Sequence, residues 1–274
     1  MQKTIGFIGA GHMTSAIVGG LVQHMEPGLI SVSNRSAEKR DALAQRYGVR
    51  SVTSNEQLVE TSDVVVLSVK PQVMQSALVP LQTSLQKQQP LVISVAAGIT
   101  CASMNRWMDT ELPLIRCMPN VPSVILEGAS GLYASSLVTA EHKAIAESVF
   151  SAIGLTAWVE QEQDIDLVTA VSGSGPAYAM LLIQGMIEAA ERRGMSHAAA
   201  KTLAVQTVRG SAGMILKSDK ELPQMIEDML LPGGTTEQAV AALRELGVEA
   251  AIDTAIGAAY QRAGELAAEL DDKN

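Results

Sequence analysis

The chain has few aromatics, few cysteines and no concentration of positive charge, and each shortage removes a class of function. Phe, Trp and Tyr make up 3% of the 274 residues against 47% apolar residues overall, so the core must be packed with Ala, Val, Leu, Ile and 13 Met. The only cysteines, Cys101 and Cys117, lack metal-ligand spacing and suggest no disulfide framework, so no metal is expected. A net charge of -9 argues against a nucleic-acid partner, because nothing basic is dense enough to follow a phosphate backbone. No run of about 18 consecutive apolar residues occurs, and the first residues lack the basic region and apolar core of a signal peptide. A cytoplasmic location with no membrane partner is the expectation. The four histidines, His12, His24, His142 and His197, have no evident partner.

What is present begins with a phosphate grip. Thr4-Ile5-Gly6-Phe7-Ile8 reads as a short buried strand, Gly9-Ala10-Gly11-His12-Met13-Thr14 follows at once, and a helical pattern continues from Ser15. This is the strand, glycine turn and helix of a dinucleotide-binding fold. Gly9 permits the tight turn, Gly11 lets the backbone approach a pyrophosphate, and free N–H groups at the helix start favour the anion. Thr14 stands where the pattern prefers Gly or Ala, so its side chain must fit between helix and strand, and a slight change of cofactor geometry is expected.

The second strand, Leu29 to Ser33, runs into Asn34-Arg35-Ser36 with no carboxylate at its end; the nearest are Glu26 and Glu38. An NAD-binding domain places an Asp or Glu about 20 residues after the glycines to accept from the ribose 2′-hydroxyl. Arg35, flanked by Asn34 and Ser36, suits a 2′-phosphate instead. NADP is therefore the expected nucleotide.

Strands alternate with helical segments up to about residue 160. The apolar runs 64–68, 91–94, 114–117, 131–133 and 156–159 are continuous rather than alternating, which implies strands buried on both faces of a parallel sheet. From Asp164 onward the pattern is helical: 164–171, 176–193, 197–217, 221–229, 234–245 and 248–270 carry apolar residues at three- and four-residue spacing. The expected architecture is a Rossmann-type, doubly wound, mostly parallel sheet over residues 1–160, followed by an all-helical domain over 161–274. Several of these helices, 176–190 above all, are apolar nearly all round, so the helical domain is expected to form a dimer interface.

Loops at the carboxyl ends of the strands carry the candidate chemistry. Lys70, in Val69-Lys70-Pro71-Gln72, can point at a phosphate or the nicotinamide. Ala97, in Val95-Ala96-Ala97-Gly98, lets the nicotinamide approach the backbone. Asn120, in Met118-Pro119-Asn120-Val121-Pro122, offers an amide to a carboxamide or ribose. Asn55, opening a helix, is expected to cap it or to reach the adenosine side. In the helical half, Ser172-Gly173-Ser174-Gly175-Pro176 reads as a loop joining two helices, and Leu230-Leu231-Pro232-Gly233-Gly234-Thr235-Thr236-Glu237 leads into another. Both place glycines and hydroxyls at a helix start, which suits a small carboxylate ligand. Glu237 is expected to stabilise its own helix start.

The succession Gly-Ala-Gly-x-Met, Val-Lys-Pro-Gln, Ala-Ala-Gly-Ile, Arg-Cys-Met-Pro-Asn, Ser-Gly-Ser-Gly-Pro-Ala-Tyr and Pro-Gly-Gly-Thr-Thr resembles the pyrroline-5-carboxylate reductase family from residue 4 to about 262. The resemblance implies reduction of 1-pyrroline-5-carboxylate to L-proline by NADPH or NADH, the last step of proline biosynthesis. It also implies a homodimer interlocked through the helical domain, which some members assemble into a ring of five dimers. By motif, Gly9, Gly11, His12 and Met13 would hold the pyrophosphate, and Asn34, Arg35 and Ser36 the adenosine phosphate. Asn55, Lys70, Ala97 and Asn120 would line the rest of the cofactor groove. The substrate carboxylate would lie on Gly233, Gly234, Thr235 and Thr236 with Ser174 nearby, and Thr236 would serve as the catalytic residue beside the ring nitrogen. Leu230-Leu231 replaces the family's usual Thr-Ser, which removes a hydroxyl from the carboxylate pocket.

The scarcity of acid–base residues is consistent with that chemistry. A protonated cyclic imine is already electrophilic and needs alignment more than a strong general acid. A hydroxy acid would require proton movement at oxygen. Two other readings stay open: reduction of another cyclic imine or hydroxy acid, and NADP binding without turnover.

Overall fold

Consecutive apolar residues become strands buried along their whole length in the computed structural model, which describes residues 3–272; the outermost residues of the two expected domains, 1–2 and 273–274, lie outside it. The strands are β1 (Ile5–Ile8), β2 (Ile30–Ser33), β3 (Arg50–Ser51), β4 (Val64–Leu67), β5 (Leu91–Ser94), β6 (Leu114–Met118), β7 (Gly128–Ala134) and β8 (Gly154–Trp158). They form a single eight-stranded sheet in the order β3-β2-β1-β4-β5-β6-β7-β8. Every neighbouring pair is parallel except β6 with β7. All residues of β1, β2, β4 and β5 are buried, as expected of strands covered on both faces. β3 holds two exposed polar residues and gives no apolar signal in the sequence.

Helices cover both faces. Seven belong to this half: α1 (His12–Leu21), α2 (Ala37–Tyr47), α3 (Asn55–Glu60), α4 (Met74–Leu78), α5 (Gln82–Gln88), α6 (Cys101–Met108) and α7 (Ala140–Ser151). Ile17, Val18, Leu43 and Phe150 bring α1, α2 and α7 onto one face with Phe7 and Val66. Leu58, Met74, Leu85 and Met104 bring α3 to α6 onto the other with Ile8 and Val65. Each such large apolar side chain contributes about 1.5–3 kcal/mol by leaving water.

The contacts divide the chain into Met1–Ser174 with Ala259–Asn274, and Gly175–Ala258. This differs from the expected break at 160/161 in two ways. The segment after β8 packs under the sheet through the buried Ile165 and Ala170. The last turns of the final helix also belong to the first unit, where Leu270 joins the apolar cluster beneath β4 and β5.

The expected loop at Ser172-Gly173-Ser174-Gly175 is not a loop. α8 (Asp164–Val168) passes through a π turn at Thr169–Gly173 into α9 (Gly175–Glu191) without a break. The Ser174 N–H donates to the Thr169 carbonyl at 2.9 Å, a five-residue bond. Pro176 causes the irregularity, since it has no N–H for the carbonyl four residues back, Ser172, and would crowd it.

In the second unit, α9 and α10 (His197–Leu216) pair through Ile187, Ala200 and Ala204. α11 (Leu222–Glu227), α12 (Thr235–Glu245) and the start of α13 (Val248–Asp272) complete it. Much of its apolar surface is uncovered: Met180, Leu181 and Leu182 on α9 and Leu203 and Leu216 on α10 are all more than half exposed. The continuous helical run Asp164–Glu191 reaches a mean hydropathy of 1.2 over 18 residues, with 11% of that window buried. By length and composition alone it could cross a membrane. A contiguous exposed apolar surface of this kind marks a contact with another protein surface or with lipid.

Candidate functional site

The order of the strands changes direction at β1, which lies between β2 and β4, and ligands of open α/β sheets bind beyond the carboxyl ends of strands at such a point. A cavity of about 410 Å³ opens there. Gly9, Gly11, Asn34, Arg35, Ser36, Asn55 and Lys70, each anticipated from the sequence, all line it.

Gly9 has φ +114, and a Cβ there would overlap the Ser68 carbonyl, so no other residue fits. Gly11 is the residue before α1, with no side-chain cap and nothing within 4 Å of where a Cβ would stand. The first turn of α1 therefore has no side-chain cap at its N–H groups, and the helix dipole there favours an anion. The Gly9 N–H donates to the Ser33 carbonyl at 2.8 Å, and the Ala10 N–H donates to Asn34 Oδ1 at 3.2 Å. Asn34 thus shapes the glycine turn as well as facing the cavity; its Nδ2 donates to the Ser36 carbonyl at 3.1 Å.

Ser36 caps α2, where its hydroxyl accepts from the Lys39 N–H. Arg35 is exposed, so its guanidinium is held by no burial. Lys39 also lines the cavity, and the sequence reading missed it. One helical turn after Arg35, it places a second cation at the same rim.

Asn55 does not cap its helix, contrary to one expectation. Ser54 does so, accepting from the Gln57 N–H, while Asn55 Oδ1 accepts from the Ser33 hydroxyl at 2.6 Å. This bond holds Asn55 against the end of β2, at the cavity wall. Lys70 is exposed and precedes the short helical turn Pro71–Val73.

His12, Met13, Ala97 and Asn120 do not line this cavity. Ala97 lies in the turn after β5, where Gly98 has φ +73 and a Cβ would come within 3.2 Å of Leu270. Asn120 is buried and engaged at both ends: its Oδ1 accepts from the Ala129 N–H at 2.9 Å, and its Nδ2 donates to the Ser172 carbonyl at 3.0 Å. That second bond replaces the one Pro176 cannot make.

A further cluster went unread because its members are far apart in sequence. Arg116 on β6 is 4% exposed and meets Glu162 at 3.0 Å. The same Glu162 oxygen accepts from the Cys101 N–H at 2.6 Å, so one carboxylate serves a cation and a helix start. Burial, with the Glu162 charge beside it, pushes the Cys101 thiol up to about 12. Burial also raises Tyr133 and Asp166, against the pull of Arg116. Burial raises Cys117 well above its ordinary value. Among the described residues no group of three or more His, Cys, Asp or Glu side chains converges as a metal site would.

In the second unit, Gly233 has φ +72, which turns the chain into α12. The Gly233 N–H donates to Glu237 Oε2 at 2.7 Å, so Glu237 does stabilise the helix start. The Gly234 N–H donates to the Leu231 carbonyl at 2.8 Å. Both glycine donors expected for a carboxylate are therefore occupied, leaving the first-turn N–H groups and the hydroxyls of Thr235 and Thr236, both exposed. Leu231 is 71% exposed. Ser174 lies in the π-to-α junction rather than at an open helix start.

Residues 162–266 match the family model for pyrroline-5-carboxylate reductase dimerisation, and residues 4–98 match that for NADP oxidoreductase, coenzyme F420-dependent. The pyrroline-5-carboxylate reductase of Pseudomonas aeruginosa is 43% identical over 267 residues, covering 97% of each chain. That of Escherichia coli is 38% identical over 269 residues, covering 97% of this chain and 99% of its own. The solved structure of a pyrroline-5-carboxylate reductase from Coxiella burnetii superposes with a TM-score of 0.94 at 38% identity, covering 97% of this chain and 99% of the other. The Plasmodium falciparum pyrroline carboxylate reductase with NADP bound superposes with a TM-score of 0.83 at 27% identity over 97% and 98% of the two chains.

Proposed function

The chain belongs to the pyrroline-5-carboxylate reductase family, and from that premise we propose how its residues serve the reaction. It is an NADPH-dependent oxidoreductase of proline biosynthesis acting on the C–N bond of 1-pyrroline-5-carboxylate. Bound NADPH supplies the hydride; with a proton on the ring nitrogen, the products are L-proline and NADP⁺.

The observation that carries the cofactor assignment is the cavity at the carboxyl ends of β1, β2 and β4, with an uncapped helix start at one end and Arg35 and Lys39 at the other. Gly11, His12 and Met13 are proposed to receive the pyrophosphate on backbone N–H groups, and Gly9, whose own N–H donates to the Ser33 carbonyl, is proposed to form the turn that brings the pyrophosphate there. Asn34, Arg35, Ser36 and Lys39 are proposed to receive the 2′-phosphate, for which a guanidinium fork and an ammonium are suited. Asn55 and Lys70 line the remaining wall. Ala97 and Asn120 are proposed to act at the nicotinamide side, Asn120 by fixing backbone.

For the substrate, the unpaired donors of Thr235 and Thr236 support a carboxylate site, with Gly233 and Gly234 forming the turn that presents them. Ser174 is proposed to lie near the imino acid. Thr236 is the proposed catalytic residue, which would orient the ring nitrogen so that the electrophilic carbon can accept a hydride. No strong general acid is required, because the iminium already carries its proton.

The protein forms homo-oligomers. The exposed apolar faces of α9 and α10 support a homodimer through residues 161–274, and the family resemblance allows a ring of five such dimers. Two free, buried cysteines support the cytoplasm as its compartment. NADH is proposed as a poorer substitute, lacking the 2′-phosphate.

The test follows NADPH absorbance at the nicotinamide band while pyrroline-5-carboxylate is added to the purified protein. Rapid oxidation, slower with NADH, is expected. Faster oxidation with NADH would keep the reaction and overturn the role of Arg35. NADPH binding without oxidation would overturn the reductase reading.

A further inference from the structure

Thr14 is the one residue of the glycine turn that departs from the dinucleotide-binding pattern, and it is completely buried. Its Oγ1 donates to the Gly9 carbonyl oxygen at 2.8 Å and also lies 2.8 Å from Ser68 Oγ. Ser68 Oγ is a second acceptor for the same hydroxyl, so the one proton of Thr14 is shared between the Gly9 carbonyl and Ser68. Ser68 immediately follows β4 and lines the cavity, as do Val69 and Lys70 after it.

The Gly9 carbonyl and the Ala10 N–H belong to one planar peptide and point in opposite directions. Thr14 holds the carbonyl inward, and Asn34 Oδ1 accepts from the N–H on the outer side at 3.2 Å. This single peptide is thus clamped at both ends, between β1, β2 and β4. Rotating it would turn a carbonyl lone pair toward the space that the pyrophosphate needs.

Resting on the proposed cofactor role of the cavity, we infer that Thr14 is a positioning residue for NADPH, acting through Gly9 and linking the phosphate turn to the Ser68–Lys70 segment. The hydroxyl does the work that a small third residue leaves to packing, and it explains why a larger side chain is accommodated here. Thr14 touches no ligand itself, since it lies behind the cavity wall. Its effect falls on cofactor affinity and leaves the chemical step alone.

The experiment titrates NADPH by its fluorescence against wild type, Thr14→Val, Thr14→Ser and Ser68→Ala, with steady-state constants and melting temperatures measured alongside. Thr14→Val keeps the shape and removes the hydroxyl, and is expected to raise Kd and KM for NADPH about fivefold, the loss of one buried hydrogen bond. The imine KM and the kcat at saturating NADPH stay within about twofold. Thr14→Ser is expected to bind as wild type does, and Ser68→Ala to shift Kd in the same direction as Thr14→Val by a smaller factor. An unchanged Kd in Thr14→Val, or an equal loss in Thr14→Ser, would overturn the inference. A fall in melting temperature with Kd intact would do the same, showing a purely structural role. If Thr14→Val does not fold, Ser68→Ala decides, and an unchanged Kd there refutes the link. Wild-type protein that binds NADPH but leaves the imine unreduced would refute the proposed function alone, while the titration still judges Thr14.

Discussion

The side-chain amide of Asn120 donates to the carbonyl of Ser172 at 3.0 Å, across a sequence distance that no local pattern connects. Ser172 is the residue whose carbonyl Pro176 leaves without its helical partner, and Asn120 also accepts from the Ala129 N–H. One buried amide therefore ties the end of β6 to β7 and to the π turn.

Asn120→Ala removes both bonds and strands two part-buried backbone groups. We expect a loss of about 2–3 kcal/mol in unfolding free energy, measured by chemical denaturation. Equal stability to wild type would show that water or a shifted helix serves those groups equally well.

The two glycines of the phosphate turn should separate in their behaviour. Gly9→Ala forces a Cβ against the Ser68 backbone at φ +114 and is expected to lower the melting temperature as well as NADPH binding. Gly11→Ala meets no protein atom within 4 Å, so it should melt as wild type does while binding NADPH at least about tenfold more weakly. A Gly11→Ala protein with normal Kd would place the pyrophosphate elsewhere.

Arg35→Ala should raise KM for NADPH about tenfold or more, the range of a charge-assisted hydrogen bond, and leave KM for NADH within about twofold. Lys39→Ala should act in the same direction with a smaller factor, because the point charge of an ammonium lacks the bidentate fork. Parallel losses with both nucleotides would show that these cations do not read the 2′-phosphate.

Thiol reactivity follows from burial. With its thiol pushed up to about 12, Cys101 carries almost no thiolate at pH 8, and the buried Cys117 is raised as well. A thiol reagent should label neither in the native protein at that pH and both after denaturation. Fast native labelling would contradict the packing around Glu162.

Asp166 offers a pH test. Burial raises its folded pKa, so the folded state holds the proton more tightly than the unfolded one. Its contribution to stability therefore declines as pH rises from the unfolded value of about 3.9. Asp166→Asn is expected to melt higher than wild type at pH 7, with the gap closing below pH 4. A lower melting point at pH 7 would mean that the attraction of its carboxylate to Arg116 outweighs the cost of burying it.

Much of the fold was legible because four-residue apolar runs such as Val64-Val65-Val66-Leu67 leave few alternatives. β3 was not, since Arg50 and Ser51 are exposed and polar and become a strand only by pairing with β2. Ser172-Gly173-Ser174-Gly175-Pro176 misled for a physical reason. Local chemistry favours a break there, and the compensating bond comes from Asn120, 52 positions away. Asn55 was misjudged because Ser54, its neighbour, is an equally good cap. That Gly9, Gly11, Asn34 and Arg35 line one cavity followed from their spacing, whereas Lys39 at the same cavity and the bonds of Thr14 needed the third dimension.

The return of Ala259–Asn274 to the first unit has a consequence for how the protein is made. The turn at Gly98 packs against Ala267 and Leu270, which leave the ribosome only after the whole of Gly175–Ala258. That contact cannot form until the whole second unit has been synthesised, so the cover over the Gly98 turn is the last piece of the first unit's packing to become available.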